Sequence, residues 1–78
     1  MTILYSKDAA KVLTRVDAPT RQRILQAVQG IPHGDIRPLQ GSERQYRLRV
    51  GSWRVLYSHT ATDEVLVEMV SPRGDAYK

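Results

Sequence analysis

The sequence has no cysteine, and its two histidines, His33 and His59, stand far apart outside any metal-ligand spacing. A disulfide or thiolate metal site is therefore excluded, and a zinc site is not expected. Apolar runs are short. None approaches the roughly 18 residues that a membrane span needs. Residues 1–6 (Met1-Thr2-Ile3-Leu4-Tyr5-Ser6) are too short for a secretory signal, so a cytoplasmic location is expected, with no membrane partner. No P-loop, glycine-rich dinucleotide motif or Ser/His/Asp grouping is present. No repeat or low-complexity segment divides the 78 residues, which read as one domain spanning 1–78. A domain this small buries a modest share of its surface and is expected to be marginally stable alone.

Acidic residues are in the minority. Eight Asp and Glu face twelve Lys and Arg, a net charge of +4. Such a balance permits a polyanionic partner without requiring one. The type of base says more than the sum. Only Lys7, Lys11 and Lys78 are lysines; the rest are arginines. The planar guanidinium fork suits phosphate better than an ammonium does.

Hydrophobic periodicity predicts a short strand over residues 2–6, with Ile3 and Tyr5 alternating against polar neighbours. Ser6 can cap a helix from Lys7 to Val16 whose buried face carries Ala9, Ala10, Leu13 and Val16. Asp17-Ala18-Pro19 interrupts it and opens a second helix to about Gln29, with Ile24, Ala27, Val28 and Ile31 inward and Gly30 as the stop. The short connection makes the pair a helical hairpin. Residues 31–43, with two prolines and two glycines, read as a loop pinned by Leu39.

From Arg44 the period changes to two. Gly51-Ser52 reads as a type II′ hairpin turn. That turn pairs Val50 with Trp53, Arg49 with Arg54, Leu48 with Val55, Arg47 with Leu56 and Tyr46 with Tyr57. Tyr46, Leu48, Val50, Trp53, Val55 and Tyr57 then belong against the helices, and Arg47, Arg49 and Arg54 surround Leu56 on the other face. A further strand, Glu64 to Val70, should place Val65, Val67 and Met69 on the core face. A three-residue loop before it would pair Arg54 with Glu68, and a five-residue loop would pair Leu56 with Glu68. The fold class is α+β, βααβββ, with the helical hairpin packed on one face of an antiparallel sheet.

Guanidinium groups directly opposite each other cost about 0.2–1 kcal/mol. A solvated charged face is the bland explanation for any one of them. Three arginines on one patch point instead to an anion site. Glu68 beside them either steadies the cations or acts as a base. Arg73 and Tyr77 follow the last strand. Arginine forks stabilise charge developing on phosphorus, and a tyrosine ring can stack on a base, though Tyr77 could equally tuck onto the core. His59, on the core-side parity, reads as structural.

Leu39-Gln40-Gly41, the segment Tyr46-Arg47-Leu48-Arg49-Val50-Gly51-Ser52-Trp53-Arg54-Val55-Leu56-Tyr57, and Arg73-Gly74-Asp75-Ala76-Tyr77 together strongly resemble the RelE-type toxins of the RelE/ParE toxin–antitoxin superfamily. The likeness covers essentially the whole chain, and the R-x-x-x-Y ending favours the RelE branch. It implies a ribosome-dependent mRNA endonuclease (an mRNA interferase) that enters the A site, inhibits translation and is held in check by a cognate antitoxin. It also implies chemistry without metal or cofactor: a 2′-hydroxyl attacks the adjacent phosphate, leaving a 2′,3′-cyclic phosphate and a 5′-hydroxyl. By position, Arg47 and Arg49 match paired basic residues that bind substrate. Arg54 matches a transition-state arginine, Arg73 the group that protonates the leaving oxygen, and Tyr77 the tyrosine that stacks on and orients the substrate. The usual pattern has lysine at the positions of Arg47 and Arg49, the second as general base. Arginine is effectively always protonated, so Arg49 would act electrostatically, and the base would be Glu68 or another group. The superfamily also contains ParE-like toxins that poison DNA gyrase by binding. A catalytically weak member whose task is to pair with an antitoxin is the other alternative.

Overall fold

The computed structural model describes residues 1–41 and 43–72. In chain order the elements are β1 (Thr2–Tyr5), α1 (Lys7–Arg15), α2 (Ala18–Gln29), β2 (Asp35–Pro38), β3 (Gln45–Val50), β4 (Trp53–Ala61) and β5 (Glu64–Pro72). The strands form one sheet in the order β1-β5-β4-β3-β2. β1 runs parallel to β5, and every other pairing is antiparallel. Two helices therefore carry the chain from one edge of the sheet to the other. No helix among the described residues is long and apolar enough to cross a membrane.

Local chemistry sets the helix ends. The Ser6 hydroxyl accepts from the Ala9 N–H at 3.0 Å and donates to the Glu68 carbonyl at 2.7 Å, so one side chain caps α1 and ties it to β5. Asp17 caps α2, accepting from the N–H and hydroxyl of Thr20; these hydrogen bonds hold its carboxyl below its ordinary pKa. The cap of α1 at its other end comes from the next helix. Arg21 Nε donates to the Leu13 carbonyl at 2.8 Å and another of its nitrogens to Val16 O at 3.0 Å. A cation there also suits the helix dipole.

The core lies between the helices and the sheet. It joins Ala9, Leu13, Ile24, Val28 and Ile31 to Leu48, Val55, Tyr57, Val65, Val67 and Val70. Tyr46, Val50 and Trp53 pack against it half-buried. The expected inward face of α1 is corrected in part: Ala10 is exposed, Val16 is half-buried, and Val12 joins the packing.

Two further corrections matter. Residues 31–43 are not all loop, because β2 forms within them and adds a fifth strand. It lies at an edge, where Pro38 needs no ladder donor. And the β4–β5 register follows neither expected pairing. Leu56 pairs with Met69 and Arg54 with Ser71, with irregularities between Leu56 and Tyr57 and between His59 and Ala61. Glu68 is an extra residue in β5 at the first of these. One such residue reverses the side-chain alternation. Val70 thereby takes the core position opposite Val55, while Met69 is 37% exposed rather than core.

Candidate functional site

The β3–β4 register is the predicted one, pair for pair. Gly51 opens the turn with φ of 60°, a region that costs glycine little. The hairpin sends Leu48, Val55 and Tyr57 into the core and leaves Arg47, Arg49, Arg54 and Leu56 on the opposite side. Burying one face fixes the other, since a one-residue slip would bury the arginines.

β2 widens this outer face. Its residues face β3 as Asp35 to Arg49 and Arg37 to Arg47. One row across the sheet therefore reads Asp35, Arg49, Arg54, Ser71, and the next reads Arg37, Arg47, Leu56, Met69. The Asp35 carboxylate lies 3.8 Å from Arg49 Nε, both half-exposed. This is a loose pair that leaves most of the guanidinium's donors available. Among the described residues, Arg37 and Arg47 have no ion pair. Ser71 Oγ, at the end of the first row, is buried without a hydrogen-bond partner among them.

Glu68 does not meet the arginines in the expected way. Its carboxylate accepts from Gln45 Nε2 at 2.9 Å, reaching across β4. Gln45 pairs with Ser58, beyond the Arg47–Leu56 pair. Among the described residues, Asp35 is a carboxylate paired with Arg49, and sequence reasoning missed it along with Arg37. The available signal was the alternation of Asp35-Ile36-Arg37 inside a stretch rich in turn formers. Arg73 and Tyr77, the remaining sequence candidates, lie outside the described residues.

The core face ends in an aromatic group. Tyr46 stacks on Tyr57 at 5.5 Å, and His59 meets both rings edge-on at 5.4 and 5.8 Å. Burial, with the neighbouring Tyr46, pushes the Tyr57 phenol up to about 12. His59 thus sits in packing, as expected. On the outer face beyond the arginines lies an apolar strip: Leu4 (45% exposed), Leu66, Leu56 and Met69.

Chemically, the outer face offers cationic forks on rigid strands, with the Asp35 carboxylate at one end of the row. It can hold an anion and stabilise charge that grows on it. Comparison with known proteins agrees with a toxin scaffold. Among solved structures, RelE in the RelB–RelE antitoxin–toxin complex from Methanococcus jannaschii matches with a TM-score of 0.76 at 25% identity, over 95% of this chain and 94% of that one. The RelE–RelB complex from Pyrococcus horikoshii OT3 matches equally, at 0.76 and 25%, over 95% and 96%. The isolated E. coli RelE toxin shares the fold at 15% identity, with a TM-score of 0.69 over 97% of this chain and 89% of that one. No curated protein sequence matches the chain. The family model for the ParE toxin of type II toxin–antitoxin systems matches residues 3–77, and the chain belongs to this family, within the RelE/ParE superfamily of toxins.

Proposed function

We propose that this toxin is a metal-independent endoribonuclease that cuts mRNA in the ribosomal A site and so inhibits translation. The observation that carries the reading is Arg49 facing Arg54 on the sheet face turned away from the helices, where stability alone favours opposite charges. In the reaction, the 2′-oxygen forms a bond to phosphorus as the P–O5′ bond breaks. The 2′ proton leaves to a base and the 5′ oxygen gains one. Negative charge builds on the phosphoryl oxygens, and the Arg49 and Arg54 forks are suited to receive it. Arg47 adds a substrate contact, and Arg73 and Tyr77 are assigned by resemblance to proton donation and base stacking. The partner is a cognate antitoxin. An acidic, amphipathic antitoxin segment fits an outer face that carries arginines at one side and Leu4, Leu66 and Met69 at the other.

A second reading is gyrase poisoning by binding, favoured by the family model, which is that of ParE toxins. Inducing the protein in cells and mapping mRNA ends by primer extension separates the two. New 5′ ends within codons support the ribonuclease. Intact mRNA with broken or unsupercoiled DNA supports the gyrase reading. Neither, with a stable antitoxin complex, leaves a binding module.

A further inference from the structure

The ribonuclease reading uses the row that holds Arg49 and Arg54. The adjacent row holds a second facing pair, Arg37 and Arg47. Neither has an ion pair among the described residues, and the rest of that row, Leu56 and Met69, offers no countercharge. One like-charged pair on a sheet is unfavourable, and two in adjacent rows are more so. The rows are two residues apart on β3, roughly 6.8 Å along an antiparallel strand. That spacing matches successive phosphates of an extended single-stranded nucleic acid. Pro38 follows Arg37 and holds it in extended backbone, so the edge position is fixed locally.

We propose that the outer face grips two consecutive RNA phosphates, the scissile one over Arg49 and Arg54 and its neighbour over Arg37 and Arg47, with Arg37 a positioning residue for the second. The designation of one phosphate as scissile rests on the ribonuclease reading; the two-phosphate grip does not. The neighbouring phosphate carries the same charge before and during the reaction. Its contacts therefore contribute equally to ground and transition states, and they act on affinity rather than on the chemical step. The loose Asp35 contact to Arg49 has no counterpart in the second row, which is the more cationic of the two.

The test uses Arg37→Ala and Arg37→Lys in two assays. The first measures binding of short single-stranded RNAs with one and two phosphates to the free toxin, against salt. Wild type should gain affinity with the second phosphate. Arg37→Ala should lose about tenfold for the two-phosphate RNA, with the salt slope reduced by about 0.7, and should lose most of the affinity gained from the second phosphate. Arg37→Lys should recover most of the loss. Unfolding in urea should find Arg37→Ala no less stable than wild type, because a like-charged pair is relieved. An unchanged salt slope and affinity overturn the proposal, as does equal loss for both RNAs. The second assay is single-turnover cleavage on programmed ribosomes. Arg37→Ala should raise the half-saturating toxin concentration about tenfold with an unchanged plateau rate. A lowered plateau overturns the positioning role. Absence of cleavage by wild type overturns the ribonuclease reading instead, and the binding assay then decides the two-phosphate grip alone.

Discussion

Arg49 and Arg54 are direct cross-strand partners on the face of the sheet turned away from the helices. Two cations at that separation repel, and the fold holds them there because the same register buries Leu48, Val55 and Tyr57. Local repulsion of about 0.2–1 kcal/mol is small beside the burial of those side chains, each about 1.5–3 kcal/mol. The core thus fixes a charge arrangement that the surface alone would not select.

The position of Glu68 separates two roles. Its carboxylate is engaged by Gln45 rather than by a guanidinium among the described residues. Glu68→Gln, which keeps the shape and an accepting oxygen, should leave the single-turnover cleavage rate and its pH profile within a few-fold of wild type. A loss on the order of 10² would mark Glu68 as the base.

Arg21 should matter to folding. It donates to two carbonyls at the end of α1. Arg21→Ala should lower unfolding free energy by about 1–2 kcal/mol, read from the urea midpoint at constant slope. Arg21→Lys should recover only part, since one ammonium cannot reproduce the fork.

Gly51 should resist substitution. Its φ is 60°, and a Cβ there would meet an Arg23 guanidinium nitrogen at 2.8 Å. The guanidinium is the end of a flexible chain and can move, so the backbone conformation sets most of the cost. Gly51→Ala should destabilise by about 1 kcal/mol and Gly51→Asn by less, measured by thermal unfolding.

Tyr57 should make stability fall in base. Its folded pKa is pushed up to about 12, above the ordinary value near 10. A raised pKa favours the proton-bound form in the fold. The associated stability is complete below about pH 10 and is lost as pH rises from there toward about 12. Tyr57→Phe should weaken this dependence between urea unfolding at pH 9 and pH 11. An unchanged slope with pH would remove Tyr57 as its source.

Much of this was legible in the sequence where one force dominates. The Gly51-Ser52 turn and strict alternation around it specify the β3–β4 register, and Ser6 and the Asp17-Ala18-Pro19 break announce the helix starts. Legibility failed where a single residue reverses a pattern. The extra residue Glu68 exchanges Met69 for Val70 in the core, and no local preference marks it. β2 was hidden because four residues between turn formers carry too little periodicity; its pairing comes from β3. Arg37 and Asp35 were missed with it.

Single-turnover cleavage of mRNA on ribosomes programmed with varied A-site codons tests the central claim most directly. Wild type should cut within the A-site codon, leaving a 2′,3′-cyclic phosphate. Arg54→Ala and Arg73→Ala should each slow the chemical step on the order of 10²–10³ while still co-sedimenting with ribosomes, because their charge is needed most as the phosphate gains its own. Wild-type protein that leaves every mRNA intact, or an Arg54→Ala, Arg73→Ala double variant that cuts at the wild-type rate, would contradict the account.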